Sequence, residues 1–159
     1  MKKAIGVILF FVLLGCGRSP YIEENSAFIV FKTPTFRYAD MGFVYQNANE
    51  VKLQIYSNAQ SVMSLKVTQS SVCMSMFECM SPSSFNAKVL SDKYPPSILR
   101  DILRAKPIMD KKYIKYTQDG FIQDINVANS YNIKYKVSKN KIEFVDKLNH
   151  INIKIIKDI

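Results

Sequence analysis

A strict two-residue alternation of apolar and polar side chains runs through most of the chain and constrains its fold more than any other feature. Ile151, Ile153 and Ile155 alternate with Asn152 and Lys154, and Tyr131, Ile133, Tyr135 and Val137 alternate with Asn132, Lys134 and Lys136. The same rhythm recurs in Val51, Leu53 and Ile55 and in Met63, Leu65 and Val67. A helix places neighbours every 3.6 residues and cannot gather such a set on one side; a strand can. Each strand then has one apolar face only, so the strands must curl around a shared core with that face inward.

Turn signals cut the pattern into strands. Asn47-Ala-Asn49, Ser57-Asn-Ala-Gln60, Gln69-Ser-Ser71 and Ser138-Lys-Asn140 separate the runs, and Gln118-Asp119-Gly120 reads as a hairpin in which glycine takes up a positive φ. One stretch breaks the rhythm. In Tyr94-Pro-Pro-Ser-Ile-Leu-Arg-Asp-Ile-Leu-Arg-Ala-Lys-Pro107, the residues Ile98, Leu99, Ile102 and Leu103 make a helical apolar stripe, with Arg100, Asp101 and Arg104 opposite. Ser97 is the expected N-cap, and Pro107 sets the end near Lys106. A shorter helix is expected near Phe85 to Leu90. The expected fold is α+β and mainly β: a curved antiparallel sheet, an unclosed half-barrel, with a helical lid.

The N-terminus carries a different pattern. Lys2 and Lys3 precede an apolar run from Ala4 to Leu14 that ends in Leu13-Leu-Gly-Cys16. A basic start, a short apolar core and a small residue before the cut are the pattern of a secretory signal peptide, and the run is shorter than the roughly 20 residues a membrane-spanning helix needs. The cysteine after Leu-Leu-Gly resembles the lipobox of bacterial lipoproteins, which implies lipidation of Cys16 and cleavage before it. Gly17 is not the aspartate associated with inner-membrane retention, so the resemblance implies the periplasmic face of the outer membrane. The expected organisation is a signal peptide over 1–15, a lipidated tether over 16–26 and one domain over 27–159.

From Cys16 onward the net charge is about +7. An exported basic domain meets anionic headgroups rather than nucleic acid, unless the dispersed lysines serve solubility alone. Cys73 and Cys79 either pair in an oxidising compartment or stay as two free thiols. Pairing would add at most about 2–3 kcal/mol in the chain-entropy model. With His150 as the single histidine, a metal site is not expected. No catalytic residue, nucleophile triad or phosphate loop stands out, so no enzyme activity and no cofactor beyond the lipid on Cys16 are expected.

The remaining chemistry is apolar accommodation. Nine tyrosines, ten phenylalanines and seven methionines suit either a filled core or a cavity that adapts to acyl chains. Strand alternation selects Leu53, Ile55, Met63, Leu65, Phe121, Ile125, Ile133 and Tyr135 as cavity candidates. Ile98, Leu99, Ile102 and Leu103 join them from the lid. A register error of one residue would turn every strand residue of this set to the other face.

The order of elements resembles LolB, the outer-membrane lipoprotein receptor. The residues that carry the resemblance are Leu53 to Leu65, Tyr94 to Pro107, Tyr116-Thr-Gln-Asp-Gly-Phe121 and Lys141 to Lys157. It implies a monomeric half-barrel that takes lipoprotein acyl chains from a LolA-like periplasmic carrier and inserts that cargo into the membrane, a chaperone's role in protein transport. Three departures are plain. The tip that carries a leucine in the family reads Ser57-Asn-Ala-Gln60, the lid ends in Ala105-Lys-Pro107, and the chain has no tryptophan. Two other expectations stand beside this one: a structural or envelope-assembly lipoprotein with a filled core, and a carrier of another amphiphile such as lipopolysaccharide or phospholipid.

Overall fold

The computed structural model describes residues 20–75 and 78–157. The expected signal peptide and the lipidation site at Cys16 lie outside the described residues. The first strand, β1 (Glu23–Lys32), begins inside the stretch expected to be tether. The others are β2 (Arg37–Gln46), β3 (Val51–Ser57), β4 (Gln60–Val67), β5 (Val72–Met74), β6 (Ile114–Thr117), β7 (Gly120–Val127), β8 (Tyr131–Val137), β9 (Lys141–Asp146) and β10 (Ile151–Lys157). Two helices, α1 (Pro82–Val89) and α2 (Ile98–Leu103), and a 3-10 turn (Met109–Lys111) fall between β5 and β6.

All ten strands form one antiparallel sheet in the order β5-β4-β3-β2-β1-β10-β9-β8-β7-β6. Every junction except β1–β10 joins strands consecutive in sequence. The β1–β10 pair unites the two ends of the chain, with Ile29 opposite Ile155 and Phe31 opposite Ile153. The sheet curves but does not close: its edges are the short strands β5 and β6, which do not pair with each other. Short edges leave few backbone groups open to pairing with another chain. The β5 edge is also stapled by a disulfide between Cys73 and Cys79.

Turn chemistry explains the hairpins, with two corrections to expectation. Asn58 and Ala59 both have positive φ, the geometry a two-residue hairpin loop prefers. Gly120 does not: no described glycine has positive φ. It is needed because a Cβ there would lie 1.9 Å from the carbonyl oxygen of Val137. Gly42 is required likewise, since a Cβ would meet the Gln54 carbonyl oxygen at 2.1 Å. The second correction concerns α2. Ser97 sits at its N-cap with helical backbone angles and no side-chain cap.

Helix α2 also ends earlier than Pro107 would dictate. Ala105 takes a left-handed conformation with φ 54°. Its N–H donates to the Ile102 carbonyl, and Lys106 N–H donates to Asp101. This is the Schellman arrangement, here with alanine where glycine is usual.

Candidate functional site

The concave face of the sheet is an apolar floor. Leu65, Leu53 and Val44 lie opposite one another across β4, β3 and β2, and Tyr135, Phe144 and Ile153 do so across β8, β9 and β10. Tyr135 meets Phe121 and Phe144 edge-on, with ring centres 5.5 and 6.1 Å apart. Helix α2 lies over this floor with Ile98, Leu99, Ile102 and Leu103 turned down into it. The structure therefore brings together all twelve residues selected for the cavity: Leu53, Ile55, Met63, Leu65, Phe121, Ile125, Ile133 and Tyr135 from the strands, and the four from α2.

They meet as a packed core rather than as the walls of an open space. Eleven of the twelve are no more than 2% exposed, so water does not reach them. Surface concavities border other residues, apart from one of about 270 Å³ that Phe121 helps to line. The larger, about 540 Å³, lies beside the 3-10 turn among Lys93, Asp101, Lys111, Lys112 and Tyr131.

The segment that covers the floor is held by polar contacts which the alternation pattern does not contain. Ahead of α2, the Tyr94 hydroxyl donates to Asp146 Oδ2 at 2.5 Å. Asp146 also accepts from the backbone N–H groups of Asn132, Leu148 and Asn149 and from the Asn149 side-chain amide. Burial opposes its ionisation, but these donors outweigh it and hold the carboxyl below its ordinary range. Tyr94 is driven the other way, first by burial and then by its bond to Asp146. Behind α2, the buried Gln123 amide accepts from Ile108 N–H and donates to the carbonyls of Ile108 and Lys112. On the outer side, Arg104 Nη2 donates to the carbonyl oxygens of Asn47 at 2.8 Å and Ala48 at 3.4 Å. In the middle, Tyr135 donates to the Ile102 carbonyl at 3.4 Å.

The stretch after α2 is conformationally costly. Ala105, Met109, Asp110, Lys111 and Tyr113 all have positive φ. Each non-glycine residue there costs on the order of 1–2 kcal/mol, and such strain gathers where a segment has a second arrangement to adopt.

Sequence reasoning missed Tyr94, Asp146, Gln123 and Arg104. Only Gln123 leaves a local trace, as the single polar residue on an otherwise apolar face between Phe121 and Ile125. No group of three or more His, Cys, Asp or Glu that could hold a metal occurs among the described residues, and no described helix is long and apolar enough to cross a membrane. No protein-family model matches the chain, and no curated protein is similar to it in sequence.

Proposed function

We propose that this is a lipid-anchored domain that binds acyl chains inside its half-barrel once α2 lifts, and that it receives or inserts lipoproteins at the outer membrane, as its resemblance to LolB implies. The observation that carries the reading is the lid itself. The concave face is mainly apolar, and a six-residue helix completes it, tied down by a few hydrogen bonds and followed by a strained connector. Exposing the four apolar side chains of α2 costs about 6–12 kcal/mol, and burying an acyl chain of about sixteen carbons returns about 13 kcal/mol. Acyl burial therefore offsets the cost of lifting the lid.

Binding, not catalysis, is the proposed chemistry. The buried carboxylate that could serve as an acid or base, Asp146, has both oxygens occupied by structural donors. A second reading, an envelope lipoprotein with a permanently filled core, is favoured by the near-complete burial of the candidate residues.

The test mixes the chain, carrying Cys16→Ser, with an acylated lipoprotein loaded on a LolA-like carrier and follows movement of the cargo. Transfer that Leu99→Glu or Ile102→Glu abolishes, with the circular dichroism spectrum retained, is the expected result. Absence of both transfer and bound lipid would leave the filled-core reading.

A further inference from the structure

We propose that a cationic pocket on the outer side of α2 is a phosphate site, and that it holds the phosphate of an amphiphile whose acyl chain enters beneath the lid. The second half of this statement rests on the acyl-binding reading above; the first does not.

The pocket, about 340 Å³, lies between α2 and two sheet turns. Arg100, Arg104 and Lys106 line it from the lid side, facing Asn49 after β2 and Gln69 and Ser70 after β4. Three cationic side chains therefore line one space, and no carboxylate side chain lines it. None of the three takes part in an ion pair among the described residues. Arg100 and Arg104 are one turn apart, a spacing at which like charges repel and destabilise a helix. A bound anion would relieve that repulsion.

One of the cations is also placed, not merely present. Arg104 is oriented by two carbonyl oxygens, which occupy one corner of its guanidinium and leave further donors and the full charge available. The backbone at Lys106 is held by the Schellman bond of its own N–H to the Asp101 carbonyl. The same bonds occupy the last carbonyls of α2, which would otherwise disfavour an anion at this end.

The charge count selects the ligand class. A carboxylate would leave most of the positive charge unmatched, whereas a phosphomonoester carries about −1.5 to −2 and presents oxygens that fit the planar guanidinium fork. The geometry of α2 supplies the link to the core. Leu99, Ile102 and Leu103 face the floor, while Arg100 and Arg104 border the pocket. One molecule with a phosphate above the helix and a chain below it would engage both sides. Thioether-linked lipoprotein cargo has no phosphate beside its acyl chains, so the pocket would serve a phosphate-bearing lipid bound in addition to that cargo.

The experiment titrates the purified full chain, in neutral detergent at low ionic strength, with dihexanoyl phosphatidic acid, inorganic phosphate and dihexanoyl glycerol. Neither Arg100 nor Lys106 is tied into the fold by a side-chain hydrogen bond or ion pair among the described residues, so Arg100→Gln and Lys106→Gln keep the structure. The expected result is binding of phosphatidic acid that each substitution weakens at least tenfold. Inorganic phosphate binding as tightly, with the same dependence, would support the site and assign it to a free phosphate. No binding of either phosphorylated probe, or binding indifferent to both substitutions, overturns the pocket. Dihexanoyl glycerol that binds as tightly as phosphatidic acid also overturns it and leaves acyl binding standing. Phosphate binding without any lipid binding does the reverse.

Discussion

Asp146 concentrates more of the structure's polar organisation than any other described side chain, gathering donors from β8, from the turn before β10 and from Tyr94 ahead of the lid. Its folded-state pKa is depressed, so the stability it contributes is complete above the unfolded value near pH 4 and is lost as pH falls through the folded value. Replacing it by Asn should cost about 2–3 kcal/mol at pH 7, the worth of charged hydrogen bonds, and should flatten the decline of stability below pH 4. Urea denaturation at pH 7 and pH 3 checks both. Ala105 offers a change of the opposite sign. Its left-handed backbone is one that glycine adopts without a Cβ penalty, so Ala105→Gly should stabilise the protein by about 1 kcal/mol, read as a rise in the urea midpoint. Neither residue looks special in the sequence, because each owes its role to backbone geometry or to partners distant in the chain.

At the scale of elements, α2 separates inner from outer energetics. Ile102→Ala deletes a fully buried side chain and should cost about 2–4 kcal/mol, cavity included. Phe43→Ser, on the convex face where the ring is over a third exposed and meets the rings of Tyr45 and Tyr56, should cost about 1 kcal/mol. Chemical denaturation of both variants tests whether the assigned faces are right. The apolar stripe of α2 was legible in its sequence because helix spacing is local. Its N-terminus was not: Ser97 has the residue type of a cap but takes helical angles, and the chain turns in through Pro95 instead, whose carbonyl accepts from Ile98 N–H.

For the whole molecule, the β1–β10 pair decides topology, since it alone joins the first and last strands into a single sheet. The disulfide acts only at the β5 edge, closing a loop of six residues' separation. Substituting both Cys73 and Cys79 by Ser should therefore lower stability by no more than about 2–3 kcal/mol and leave the sheet assembled, as far-ultraviolet circular dichroism and thermal melting would show.

What the sequence determined by itself was the parity of the strands that supplied the selected residues, and hence the burial of those residues. All twelve selected residues lie in the core, eight chosen by strand alternation and four by helical spacing, because either period is a property of nearby residues and survives whatever the element packs against. What only the tertiary structure decided was how the lid is held and whether the concave face stands open. Tyr94 finds Asp146 across 52 positions and Arg104 finds Asn47 across 57, separations over which no local pattern carries information. Whether the twelve residues form walls or a filled core depends on how their volumes interlock, and periodicity is blind to volume.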